Sequence, residues 1–137
     1  MFFTSKYVVP HMIDQRYGKI VNISSADARI AVKPDTYARH GYNTSKGAVL
    51  GLTLAMATSY GKYNITVNSI GPGLFESEMS QHSLFQGEFL KSHNERNPMN
   101  RPGDKGELNG TVLFLSSDAS SYVTGQYIIV DGGYTLV

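Results

Sequence analysis

The sequence has no cysteine among its 137 residues. That absence excludes disulfides, thiolate zinc sites, iron–sulfur clusters and cysteine nucleophiles, and it suits a reducing compartment. An excess of either charge is also missing, since 12 Lys and Arg against 11 Asp and Glu leave a formal net charge of +1. Nucleic-acid binding calls for a basic excess or stripe, so nucleic acid is not the expected partner. No apolar run approaches the ~20 residues that cross a bilayer, and no membrane association is expected. Thr4, Ser5, Lys6, Pro10 and His11 interrupt the apolar residues of Met1–Met12. This is not the continuous apolar core of a signal peptide, which makes the cytoplasm the expected location. Internal repeats, low-complexity tracts and Pro/Gly-rich linkers are lacking as well, as expected of one domain. What is present, 41% hydrophobic and 17% charged residues, is the composition of a globular chain with a real core.

Phe2, Phe3, Tyr7, Val8, Val9, Met12 and Ile13 recur at helical spacing and predict a helix that stops at Gly18, a good C-terminal breaker. Lys19–Ser25 is a β-branched run that predicts a strand. Ala26–Gly41, with Asp27, Pro34, Asp35 and Gly41, predicts a long loop, and loops of that length are usually functional. Tyr42–Tyr60 is apolar almost all round, which predicts a helix buried on more than one side and ended by Gly61. Ile65–Ile70 predicts a second strand, closed by Gly71-Pro72-Gly73. Leu74–Asn97 is polar and mixed, with room for one or two short helices. Asp104, with Glu107 three residues on, predicts a capping box ahead of a helix through Leu108, Val112, Leu113 and Leu115. Gln126–Val130 predicts the last strand, stopped by Asp131-Gly132-Gly133. Strands alternating with helices imply a parallel sheet in an α/β fold, and the nearly continuous apolar strands imply cover on both faces.

Tyr42 and Lys46 stand four residues apart, which on a helix places both side chains on one face. Composition alone yields roughly 0.5 such pairs by chance, so the spacing does not by itself distinguish a site from two solvated side chains. Position adds weight. Ser24-Ser25 ends the preceding strand and Tyr42 opens the helix, and open α/β sheets bind ligands at the carboxyl ends of their strands. Ser25, Tyr42, Lys46 and the Gly71-Pro72-Gly73 turn should gather there. A phenol ordinarily titrates near pH 10, and an ammonium at ~4 Å in a partly dry site supplies the ~4 kcal/mol that base catalysis near neutrality asks for. Other candidates are weaker. His11, His40, His82 and His93 show no metal-ligand spacing and read as surface or capping residues, so no metal is expected. Glu76, Glu78, Glu88 and Glu95 read as a solvated face. Gly47 and Gly51 read as sites of close helix packing, Tyr37, Arg39 and His40 as plain loop residues or, alternatively, residues that meet substrate, and Asp131 as structural.

Ser24-Ser25 after Ile20-Val21-Asn22-Ile23, Tyr42-Asn43-Thr44-Ser45-Lys46, Asn68-Ser69-Ile70-Gly71-Pro72-Gly73, and Ser121-Tyr122-Val123-Thr124-Gly125-Gln126 before Val130-Asp131-Gly132-Gly133 stand in that order. Carrying them, the chain resembles the classical short-chain dehydrogenases/reductases over essentially its whole length. Within them it is similar to gluconate 5-dehydrogenase-like and 3-oxoacyl-reductase-like members. The resemblance implies a Rossmann-like, doubly wound parallel sheet of which residues 1–137 are the C-terminal portion, three strands with flanking helices. It implies NAD or NADP as cofactor and a small alcohol or carbonyl substrate, such as a sugar, polyol or ketone. Tyr42 matches the catalytic acid/base. Lys46 matches the residue that binds the nicotinamide ribose and lowers the tyrosine pKa, and Ser25 matches the substrate-orienting serine. Pro72, Gly73 and Leu74 match the turn along the nicotinamide, and Ser77 a position that contacts its carboxamide or the phosphates.

The sequence departs from the family in two places. The loop between Ser25 and Tyr42 is several residues longer than in most members, which could displace Ser25 and leave Ser24 as the fallback. The family's Gly-rich dinucleotide turn, its NAD/NADP-selecting residue and its catalytic asparagine have no counterpart here, and no G-x-x-x-G-x-G is found. The expectation is therefore a C-terminal half, with an unpaired edge on the Lys19–Ser25 strand, unable to bind the dinucleotide alone. The alternative to an oxidoreductase is a non-catalytic fragment of one. The first helix and the Tyr42–Tyr60 helix match the family's dimer-building pair, which implies a homodimer or homotetramer with Gln126–Val137 near a second interface.

Overall fold

In the computed structural model, which describes residues 1–31, 39–76 and 87–137, the first element is helix α1, Phe2–Gln15. Val9 is its buried residue, and Met12 and Ile13 pack beside it against the core. The helix ends one turn before the expected glycine. Arg16 takes the left-handed conformation, with φ 51°, and its N–H bonds the carbonyl of Ile13. Gly18 instead opens strand β1, Gly18–Ile23, where a Cβ would lie 2.6 Å from the sulfur of Met12. Its lack of a side chain serves the close approach of helix and strand.

Strand β1 pairs in parallel with β2, Ile65–Pro72, which pairs in parallel with β3, Tyr127–Val130, in the order β1-β2-β3. The sheet sits as the resemblance implied, as one contiguous three-stranded block. Pleat parity puts Ile20, Asn22, Ile65 and Val67 on one face. Helices α1 and α2, His40–Tyr60, cover that face, and Val9, Met56, Ala57, Ile65 and Val67 form its core. Helix α4, Asn109–Ser116, packs on β1 and β2, and its Leu115 is fully buried. Helix α3, Gly87–Arg96, is the one helix described between β2 and α4.

Cover on both faces holds for β2 alone, whose residues are buried up to Gly71. Strands β1 and β3 are half-buried, and Ile23 is 42% exposed. Helix α2 is likewise buried along a single stripe, Val49, Thr53, Met56 and Ala57, with Leu54 58% exposed on the other side. An all-round apolar composition overstated the cover available within this chain. Gly47 and Gly51 meet no atom within 4 Å, so neither serves a close contact among the described residues. The capping box is half made. Glu107 accepts the N–H of Asp104 at 2.7 Å and the Arg101 guanidinium at 2.7 and 2.8 Å, but the helix begins only at Asn109. Among the described residues no helix is long and apolar enough to cross a membrane.

Candidate active site

The carboxyl end of β1 meets the start of α2. The Ser24 N–H bonds the carbonyl of Ile70 at 2.7 Å, which carries the chain past the end of β1 while keeping it against β2. The Ser24 hydroxyl then donates to the carbonyl of Lys46 at 2.8 Å. Ser24 is 2% exposed, and its hydroxyl proton is taken by this tie. It bridges the end of β1 and helix α2. Ser25 caps a short 3₁₀ turn, Ala26–Ala28, with Oγ accepting the Asp27 N–H at 3.2 Å. That contact uses a lone pair and leaves the Ser25 hydroxyl proton able to donate.

Helix α2 starts at His40, two residues earlier than expected, with Arg39 as its N-cap residue. Tyr42 and Lys46 thus lie in its first turns. The Lys46 ammonium sits 5.6 Å from the centre of the Tyr42 ring and donates to the carbonyl of Ile23 at 3.4 Å. The two side chains that sequence spacing placed on one face do share it, beside the Ser24-Ser25 end of β1.

The turn after β2 lies along the same rim, because Ile23 pairs with Ile70 and β2 ends two residues later. The Gly73 N–H bonds the carbonyl of Val130 at 2.9 Å, and the Leu74 carbonyl accepts the Gly103 N–H at 2.9 Å. A Cβ on Gly73 would stand 2.6 Å from that of Asp131, so this turn passes the β3 end with no room to spare. Pro72, Gly73 and Leu74 are partly accessible on the rim. Ser77 lies outside the described residues, as do Tyr37, Glu78 and His82.

Two residues of the site, Tyr127 and Asp27, were not legible as such, and a third, Arg39, was legible only as a loop residue within reach of substrate. Tyr127 donates its hydroxyl to the carbonyl of Ser25 from β3. Burial, the largest influence, raises its pKa above the ordinary tyrosine value and keeps it a donor. Arg39, read as a loop residue, stacks its guanidinium 5.0 Å from the centre of the Tyr42 ring. Asp27 holds that guanidinium by a 2.7 Å ion pair. Burial raises the Asp27 pKa, and the Arg39 charge opposes the shift. The Asn43 amide donates to the carbonyls of Asp27 and Ile30 at 2.7 and 2.8 Å, pinning this loop to the first turn of α2. No sequence period links residues 27, 39 and 127. Only the spacing of Arg39 and Tyr42, three residues apart, carried a signal, provided the helix was known to begin earlier.

Among the histidines, His93 is buried and stacks on Tyr134 at 4.6 Å between ring centres, which corrects its reading as a surface residue. Asp131 is structural, accepting the N–H groups of Gly133 and Thr135 at 2.9 and 2.8 Å.

A parallel sheet layered by helices, with polar side chains gathered where its strands end, defines a Rossmann-like α/β unit. A family model described as enoyl-(acyl carrier protein) reductase matches residues 1–135. The chain belongs to the short-chain dehydrogenase/reductase family. It is 41% identical over 136 residues to gluconate 5-dehydrogenase of Gluconobacter oxydans, covering 99% of this chain and 52% of that protein. It is also 41% identical, over 133 residues, to 7alpha-hydroxysteroid dehydrogenase of Paraclostridium sordellii, covering 96% of this chain and 48% of the relative. Among solved structures, a gluconate 5-dehydrogenase from Burkholderia cenocepacia in complex with NADP and tartrate is 36% identical, with a TM-score of 0.93 over 99% of this chain and 52% of that one. The chain spans about half the length of the curated relatives it matches.

Proposed function

We propose that this chain is the C-terminal half of an NAD(P)-dependent oxidoreductase that moves a hydride between the nicotinamide and a small alcohol or carbonyl compound, a sugar, polyol or ketone. The observation that carries this is the placement of Tyr42 and Lys46 on one face of α2, with Lys46 reaching the Ile23 carbonyl beside Ser25. Tyr42 is the acid/base that gives or takes the proton at the substrate oxygen. Ser25, whose hydroxyl proton has no acceptor among the described residues, donates to that oxygen and orients it. Lys46 holds the nicotinamide ribose and places positive charge beside the phenol. Pro72, Gly73 and Leu74 line the nicotinamide, and Ser77 is assigned its carboxamide or the phosphates.

The residues present fit one end of the cofactor. Lys46 and the partly open Pro72–Leu74 turn supply a cation and backbone at the rim, whereas no Gly-rich phosphate turn occurs in the sequence. The nicotinamide, when bound, supplies or accepts the hydride. Everything else falls to side chains of this chain, which orient the substrate oxygen and carry its proton.

In the full-length enzyme, Tyr42→Phe is expected to lower turnover at least ~100-fold with the fold intact, since only the titrating hydroxyl is removed. Lys46→Met is expected to lose activity and shift any residual pH optimum upward. Full turnover by Tyr42→Phe would remove Tyr42 from the chemistry.

The missing phosphate turn favours a second reading of residues 1–137 taken alone, that of a unit with no dinucleotide affinity and no activity. Titrating the purified chain with NADH by fluorescence tests this second reading, and saturable micromolar binding would refute it. We also propose that α1 and the outer side of α2 associate with a second subunit in a homodimer or homotetramer. Phe2, Phe3 and Tyr7 are 63, 74 and 73% exposed, which is a large aromatic surface for one helix. A monomeric mass of the full-length enzyme at micromolar concentration by sedimentation would refute this.

A further inference from the structure

We propose that Arg39 is a specificity-determining residue that reads a negative charge on the substrate, holding the carboxylate of a small hydroxy or oxo acid beside the Tyr42 hydroxyl. This deepens the oxidoreductase assignment above and rests on it. The guanidinium lies 5.0 Å from the centre of the Tyr42 ring, so a group bound to it lies within the span of a small acid from the reacting oxygen. Asp27 engages a single nitrogen, Nη2, at 2.7 Å. Among the described residues Nη1 and Nε have no acceptor, and the side chain is 41% exposed. Arg39 is thus, among the described residues, anchored at one edge and open at the other. A planar fork presented this way matches a carboxylate in two-point geometry, which an ammonium cannot do.

The anchor is itself built. The Asp27 side chain is 14% exposed, and the amide of Asn43 holds the backbone by the carbonyls of Asp27 itself and Ile30. The Asp27 charge does not cancel the local field. Lys46 lies 5.6 Å from the centre of the same Tyr42 ring, and Arg29 lies over the Tyr127 ring at 5.4 Å. Among the described residues Arg39, Lys46 and Arg29 stand against Asp27 and Asp131 around the Tyr42 and Tyr127 rings. Asp131 is engaged by the Gly133 and Thr135 N–H groups, so the balance is positive and favours an anionic substrate over a neutral one.

The test is steady-state kinetics of the full-length enzyme with NAD(P), on a hexonic acid and on the neutral hexitol of the same carbon skeleton. The unsubstituted enzyme is expected to prefer the acid. Arg39→Ala and the longer, polar Arg39→Gln are expected to lower the ratio of kcat/KM for acid over hexitol by about 10- to 100-fold, mostly through KM for the acid. Arg39→Lys is expected to recover part of the loss. An unchanged ratio in both the Ala and Gln variants overturns the proposal, and so does an unsubstituted enzyme with no preference for the acid. Absence of NAD(P)-dependent turnover by the unsubstituted enzyme on these two compounds and on a panel of sugars, polyols and ketones overturns the oxidoreductase assignment instead. Turnover of neutral members of that panel alone overturns this proposal.

Discussion

The Ser24 hydroxyl donates to the Lys46 carbonyl at 2.8 Å, tying the end of a strand to the second turn of the helix that follows the long loop. The two residues are far apart in sequence, and their bond sets how Lys46 and Tyr42 stand relative to Ser25. Ser24→Ala is expected to cost about 1 kcal/mol of stability, the net worth of one buried hydrogen bond, in a denaturant titration. Ser25→Ala removes the cap that accepts the Asp27 N–H and is expected to cost about 0.5–1 kcal/mol. Unlike Ser24→Ala, it is expected to lower turnover beyond what its stability loss accounts for, because its hydroxyl proton has no acceptor among the described residues. Turnover lost in Ser24→Ala and retained in Ser25→Ala would reverse the two roles.

Gly73 and Gly110 make opposite predictions for the same change. A methyl group on Gly73 would meet the Cα of Asp131 at 2.8 Å and its Cβ at 2.6 Å, so Gly73→Ala forces the turn away from β3. It is expected to destabilise by about 1–3 kcal/mol. Gly110 lies within α4 with nothing within 4 Å, and Gly110→Ala is expected to stabilise by about 0.5–1 kcal/mol through helix propensity. Thermal melts of the two variants side by side check both signs.

His93 makes stability depend on pH near neutrality. Burial is the largest influence and lowers its pKa from 6.5; Arg96 acts in the same direction, while Asn94 and Asp131 oppose it. The unfolded chain therefore binds this proton more readily than the folded one, and stability falls as pH drops below about 6.5. The fall levels off once pH passes the folded-state pKa. His93→Phe preserves an aromatic ring against Tyr134 and is expected to flatten this segment of the curve. Denaturant midpoints at pH 7.5 and 5.5 that change equally in both proteins would refute the role.

Glu107 makes a separate acid-range prediction. The hydrogen bonds from Arg101 are the largest influence and, with the Asp104 N–H, hold its pKa at about 2 against the ordinary 4.5. A carboxylate depressed in the fold contributes stability above its unfolded pKa and loses it as pH falls from about 4.5 to about 2. Glu107→Gln is expected to lack that acid limb. The contribution should also shrink in high salt, since the pair faces solvent. An acid limb indifferent to both changes would show that other carboxylates produce it.

Local sequence determined the element order and the shared face of Tyr42 and Lys46, because periodicity and four-residue spacing on a helix are properties of neighbours along the chain. It also carried the strand-end motifs, since a parallel strand and the turn that closes it are a few consecutive residues. Tertiary structure alone decided which of Ser24 and Ser25 keeps a free hydroxyl proton, because that turned on where the Lys46 carbonyl fell. It alone brought Asp27 and Arg39 to Tyr42, and Tyr127 to Ser25, through contacts that no local pattern encodes. The same holds for the open side of α2. Composition told that the helix is apolar all round, but burial is a relation between surfaces, and only the folded chain shows which surface has a neighbour.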